Sequence, residues 1–161
     1  MIKFDLQNNC FNFRSVAVLI VKEHILVHQA VGDDFWALPG GRVEFFENSD
    51  DTLVREMKEE SGVFCQVSRP LWYVENFFEY GNKKYHEIAT YYLAEIMDCH
   101  NIQFEQAFDG IESGLNLKYK WVALSRISEI NLKPEFLKSR LFELPASIDF
   151  VQINEIKNEE Q

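Results

Sequence analysis

Three features of the sequence predict an α/β fold. Short β-prone runs lead into one acid-rich segment of helical periodicity at residues 48–62. Two long aromatic runs joined by a Gly-Asn turn follow it, and two shorter amphipathic segments stand near the end. A chain of 161 residues suits one domain and is short for two, and 154–161 is expected to be a charged, flexible tail. Its 47% apolar and 14% aromatic content is ample for a core and excludes global disorder.

In chain order, Met1 to Asn12 is a polar lead-in that could form an edge strand. Arg14–Val21 and His24–Val31 are apolar runs split by Lys22-Glu23, the pattern of a β-hairpin. Asp33-Asp34 open a turn, Phe35–Leu38 is a short apolar strand, and Pro39-Gly40-Gly41 is a tight turn allowing close backbone approach to a ligand. The helix comes next. Asn48 or Ser49 can cap it, Asp50 and Asp51 suit the positive end of its dipole, and Gly62 stops it.

At 100° per residue, Glu56, Glu59 and Glu60 fall within an arc of about 100°, beside an apolar arc of Leu53, Val54 and Met57. Such a helix packs its apolar arc on a sheet and leaves three carboxylates together on its shoulder. Like charges at that spacing repel unless a cation sits among them. Oxygen donors point to a hard divalent ion, Mg²⁺ or Mn²⁺ rather than zinc.

Beyond the helix, Leu71–Glu79 and Lys84–Ile96 flank a hairpin turn at Tyr80–Lys83. Most of their aromatic side chains belong to the core, with one or two free to stack on a base, and His86-Glu87 could face a pocket. Asp98–Gly114 is a polar loop carrying Glu105, Asp109 and Glu112, followed by a strand at Leu117–Ala123. Short helices are predicted from Ser125 to Ile130 and from Pro134 to Leu144. The second has Pro at its first turn and a stripe of Leu137, Leu141 and Phe142. Ile148–Ile153 is a late extended segment.

The net charge of −10 argues against a nucleic-acid polymer as partner. Divalent cations would supply positive charge locally, so acidity is compatible with a phosphate-bearing small molecule. No run of 18 apolar residues and no signal-peptide hydrophobic region is present, which predicts a cytoplasmic protein without membrane attachment. Cys10, Cys65 and Cys99 match neither a disulfide framework nor a CxxC zinc site.

Gly41 to Val63 resembles the signature of the Nudix (MutT-related) hydrolases, G-x5-E-x7-R-E-U-x-E-E-x-G-U with U bulky and apolar. Gly41, Glu47, Arg55, Glu56, Met57, Glu59, Glu60, Gly62 and Val63 meet its fixed positions. Trp36–Gly40 and Lys118–Val122 are also family-like, whereas Phe46, Thr52, Leu53 and the His28-Gln29 pair depart from common family residues. The resemblance covers residues 12–145 and implies the Nudix fold, a mixed curved β-sheet sandwiched between α-helices.

It further implies pyrophosphate hydrolysis of a nucleoside diphosphate linked to another moiety. Nucleoside triphosphates, ADP-ribose, sugar nucleotides and dinucleoside polyphosphates all qualify. The metal shell would be the Gly40 carbonyl with Glu56, Glu59 and Glu60. Arg55 would brace Glu47, although i,i+4 spacing also allows it to pair with Glu59. The general base would be Glu59 or Glu112, with Glu105 behind the latter, and Arg14 and Glu44 are candidates for substrate contact. The competing class is a catalytically silent Nudix-fold module that binds a nucleotide. Dimers are common among relatives, so a homodimer is compatible with the resemblance.

Overall fold

In the computed structural model, which describes residues 1–156, the strand β2 (Asn9–Val21) runs through the centre of the molecule. Its alternation explains why. Val16 and Val18 join one buried apolar cluster, while Ala17 and Leu19 join another on the opposite face. The other strands are β1 (Lys3–Leu6), β3 (His24–Ala30), β4 (Gly40–Arg42), β5 (Cys65–Tyr80), β6 (Lys83–Ile96), β7 (Phe108–Asp109), β8 (Leu117–Ala123) and β9 (Asp149–Asn154). Among the described residues they form one sheet in the order β7-β8-β3-β2-β6-β5-β9, with β1 and β4 also on β2. The pairs β2·β6 and β5·β9 are parallel and the rest antiparallel, so the sheet is mixed.

Both hairpins turn where expected. Lys22 and Glu23 have φ of 46° and 59°, and Gly81 and Asn82 have 57° and 64°, the left-handed pairs that two-residue hairpins need. β2 and β3 stay paired only at Ile20↔Ile25 and Val21↔His24, because β3 then follows β8 along its whole length. β4 takes the vacated edge of β2 at Arg14–Val16 and β1 takes it at Asn9–Asn12. This parting of β2 from β3 opens the cleft described below.

One face of the sheet is covered by the helix α1 (Ser49–Glu56) and the π turn Met57–Ser61, whose Leu53 and Met57 pack on Leu19, Leu26 and Trp121. The other face is covered by a 3-10 turn (Leu124–Glu129) and the helix α2 (Leu137–Arg140), through Ile127, Leu137 and Leu141. The sheet is thus sandwiched, as the Nudix resemblance implied. No helix among the described residues is long and apolar enough to cross a membrane.

Several elements differ from expectation. Phe35–Leu38 makes only isolated bridges, His28↔Ala37 and Trp36↔Leu132, and the strand lies two residues past it in β4. Gly40 and Gly41 are therefore strand residues instead of a turn. The helix predicted from Pro134 to Leu144 shrinks to α2, which leaves Pro134 before it and Phe142 exposed. β5 starts at Cys65, earlier than expected, and accommodates Pro70 beside register shifts at Val67/Arg69 and Pro70/Trp72. At the end of the chain Asn154 closes β9 and the Glu155 N–H donates to the Phe77 carbonyl. The rest of the expected tail, residues 157–161, lies outside the described residues.

Candidate active site

The loop before α1 is tied to the helix by charge. Arg55 Nε donates to Glu47 Oε1 at 2.9 Å and Arg55 Nη2 to Glu47 Oε2 at 3.0 Å, a two-pronged pair across the loop. Thr52 Oγ1 adds a third bond to Glu47 Oε2 at 2.9 Å. The guanidinium also serves the helix, with Nη1 donating to Glu56 Oε1 at 2.8 Å and to Glu59 Oε2 at 3.1 Å. The brace to Glu47 and the i,i+4 contact to Glu59 thus coexist.

The Arg55 guanidinium holds the Glu47 carboxyl down at about 2, with smaller help from Thr52. A carboxyl lowered on folding stabilises the fold above its ordinary range and loses that contribution as pH falls towards the folded value. Glu47→Gln should therefore flatten the dependence of melting temperature on pH between about 4.5 and about 2. Thermal melts across that window check this; an unchanged slope in the variant would show that the pair does not couple to folding.

The capping expectation fails in detail. Asn48 occupies the N-cap without a side-chain cap bond, and Ser49 Oγ instead meets Tyr92 Oη at 2.6 Å. The helical wheel fails too, because the α-helix becomes a π turn at Met57. A π turn holds more residues than an α turn, so each residue advances by a smaller angle. The Glu59 side chain is 54% exposed and Glu56 is held at 16%; Val54, in the α-helical part before the turn, is exposed as well. Gly62, at φ 74°, stops the turn as expected. Phe46, at φ 65°, holds the left-handed conformation at a position where glycine is usual in the resembled signature. For a residue with a Cβ this costs about 1–2 kcal/mol.

Glycine at 41 has a packing reason. A Cβ there would lie 2.3 Å from Glu56 Cγ and 2.6 Å from Glu56 Oε2, so Glu56 lies directly on β4. Glu60 sits half-buried beyond it, with its carboxyl pushed up to about 7, first by burial and then by the charge of Glu56. The polar loop docks on the same turn. Ile111 N–H donates to the Glu60 carbonyl at 2.8 Å, and Gly110 passes so near that a Cβ would lie 3.0 Å from that oxygen. Glu112 is thereby brought close enough for its charge to act on Glu60. Glu105 is turned elsewhere, accepting from the Ala123 N–H at 2.8 Å. Glu44 is exposed and paired with the Met1 ammonium, away from this cluster.

Glu60, Gly40, Gly41 and Arg14 line a cleft of about 590 Å³ between the parted strands. His28, on the opposite wall, is neutral: burial, then the nearby Arg14 cation, lowers it to about 3. Among the described residues, no three acidic, histidine or cysteine side chains converge into a ready-made metal cage. The residues nonetheless fit a hard cation. Glu56 lies against Gly41, and Glu60 lines the same cleft near enough for the charge of Glu56 to act on it. Burial raises the Glu60 carboxyl and the charge of Glu56 raises it further, and a cation bound between the two would compensate both.

Comparison with known proteins identifies the family. The NUDIX domain model matches residues 11–142. The chain belongs to the NUDIX family. Among curated relatives, it is 29% identical over 62 residues to MutT4 of Mycobacterium tuberculosis (strain CDC 1551 / Oshkosh). That match takes in 38% of this chain and spans only 25% of that protein's length.

Solved structures share the NUDIX fold at low identity. A NUDIX hydrolase from Nitrosomonas europaea superposes with a TM-score of 0.62 at 15% identity, over 89% of this chain and 79% of that one. An ADP-ribose pyrophosphatase from Streptococcus suis 89-1591 gives 0.56 at 14% identity, over 88% and 98%. A UDP-X diphosphatase gives 0.53 at 22% identity, covering 76% of this chain and 54% of that one.

The sequence reading of this NUDIX chain left out the inner part of the cleft. Asn12, Arg42, Asn76, Phe78 and Tyr85 all line it, and of His86-Glu87 only Glu87 does. His86 lies on the other face of β6, against Phe77. Strand alternation could have separated His86 from Glu87 once the register was known, but one sequence supplies no register.

Proposed function

We propose that this NUDIX chain is a divalent-metal-dependent pyrophosphohydrolase that cleaves a nucleoside diphosphate linked to a second group. The observation that carries this reading is the position of Glu56 against Gly41, with Glu60 lining the same cleft. Beyond Arg14 that cleft continues into a recess lined with aromatic side chains. A molecule with phosphates at one end and a ring at the other matches this layout.

Glu56, Glu59 and Glu60, with the Gly40 carbonyl, would hold the cation, Mg²⁺ or Mn²⁺. When bound, it supplies charge neutralisation at phosphate oxygens and acidifies water. Arg14 approaches the same phosphates from β2 and orients them. Glu59 or Glu112 takes the proton from the attacking water. Glu59 is tethered by Arg55, and Glu112 is carried by the docked loop. Arg55 and Glu47 keep the loop and helix in register, so the carboxylates stay poised. UDP-linked and ADP-ribose-type substrates, the classes named for the structural relatives, belong in the panel beside nucleoside triphosphates and dinucleoside polyphosphates.

Phosphate release from that panel, with Mg²⁺ or Mn²⁺ and with chelator, tests the reading. Turnover should require the metal, and Glu56→Gln and Glu59→Gln should each lower it by about a hundredfold. Turnover unaffected by chelator, or intact in both variants, would overturn the assignment. Nucleotide binding without any turnover would favour a silent binding module.

A further inference from the structure

Three buried polar side chains stand in one row across the cleft floor. Asn12 on β2 is in register with Glu87 on β6, and Glu87 with Asn76 on β5, so all three point to the same face. They are 1%, 7% and 8% exposed, and all line the cleft. Glu87 Oε2 accepts from Asn12 Nδ2 at 3.0 Å, which leaves its other oxygen without a partner among the described residues. That bond also orients the Asn12 amide, whose Oδ1 is buried and unpaired, as is the Oδ1 of Asn76. The row thus holds two unpaired amide oxygens and one carboxylate oxygen without a donor. Buried acceptors left in that state are costly, and a ligand bearing N–H groups would relieve them.

The neighbouring rows say what carries those N–H groups. One row outward, the register partners Phe78 and Tyr85 stack at 5.0 Å with their planes 5° apart. Tyr80 and Phe35 stand edge to face at 6.0 Å beside them, and all four line the cleft. One row inward, Arg14 on β2 faces Arg42 on β4, whose Nε is buried without a partner. An aromatic wall, an acceptor row and a pair of cations thus follow one another towards Glu60. This order suits a planar ring that joins through a sugar to phosphate.

Resting on the nucleotide-hydrolase reading, we infer that this recess selects guanine, with Glu87 as the specificity-determining residue. Guanine alone among the common bases offers two adjacent donors, N1–H and the N2 amine, to a carboxylate. Adenine and cytosine place a ring acceptor beside their amine, and uracil sets one donor between two acceptors. Each would bring a lone pair against Glu87. A site with a buried carboxylate oxygen awaiting a donor rejects such rings more strongly than an apolar pocket does.

Calorimetric binding of nucleoside monophosphates tests this without relying on catalysis, because they contain no anhydride to cleave. GMP should bind at least tenfold tighter than AMP, CMP or UMP. IMP, which keeps N1–H but lacks the amine, should fall between GMP and AMP. Glu87→Gln should remove the preference for GMP by weakening GMP and strengthening AMP, because its amide can donate to the adenine ring nitrogen, with its fold checked by circular dichroism. Equal binding of GMP and AMP, or of GMP and IMP, would overturn the inference, and the wild-type protein alone decides that. Glucose 1-phosphate binding tighter than GMP would place sugar hydroxyls on the acceptor row and overturn it too, as would no monophosphate binding at all. Loss of metal-dependent turnover with the GMP preference intact would sink the enzyme reading and leave guanine selection standing.

Discussion

Arg55→Ala should lower turnover by roughly a hundredfold and also destabilise the protein, by about 2–3 kcal/mol. One guanidinium neutralises Glu47, Glu56 and Glu59 at distances of 2.8–3.1 Å. Removing it leaves three carboxylates without their shared cation, and the loop that carries Glu47 loses its tie to α1. Two charge-assisted bonds to a half-buried carboxylate account for the stability change, reduced because Arg55 is itself 32% exposed. Urea titration and steady-state kinetics on the same preparation separate the effects. Arg55→Lys should recover part of the stability and little of the turnover, since an ammonium cannot fork onto Glu47. Wild-type kinetics in Arg55→Ala would remove the brace from the mechanism.

Gly41→Ala should cost about as much activity with less loss of stability. The added methyl would sit 2.3 Å from Glu56 Cγ and 2.4–2.6 Å from its carboxyl group, all in a flexible side chain. Glu56 can swing aside, so the fold survives, but its oxygens leave the position beside Gly41. Displacement of a catalytic group by about 1 Å typically costs about a hundredfold in rate. Gly40→Ala makes the contrast: its methyl would lie 2.0 Å from the Ser15 carbonyl oxygen, which is backbone. That variant should fail by losing the β2·β4 pairing. Kinetics and melting temperature of the two variants check the distinction, and a Gly41→Ala enzyme with wild-type turnover would show that Glu56 does not act from this position.

Spacing along the chain was a good guide wherever the contacts are local. Gly62 ends the helical segment in the left-handed conformation, and both two-residue hairpins form at Lys22-Glu23 and Gly81-Asn82. The apolar run Arg14–Val21 was legible as a strand, and it lies within β2. The 100° wheel, by contrast, put Val54 in the buried arc, where the structure leaves it exposed, and did not foresee the π turn at Met57–Ser61. Ser61 Oγ bonds the Met57 carbonyl at 2.6 Å there, and the Glu60 carbonyl is taken up by Ile111 from a distant loop. The first is a local bond that the sequence allows but does not require, and the second is outside the reach of any local rule. The helix predicted after Pro134 is shorter than its stripe, of which Leu137 and Leu141 are buried and Phe142 is exposed.

Residue identity and order along one strand of sequence were enough to establish the family signature, the acidic turn and the mixed α/β character. These depend on neighbours a few positions apart, whose geometry the backbone sets. Only the assembled sheet decided that Asn12, Glu87 and Asn76 share a row, that Arg42 stands beside Arg14, and that Glu56 lies against Gly41. Those meetings depend on strand register. A slip of one residue would turn every one of these side chains to the opposite face, and register is set by the packing of the whole sheet.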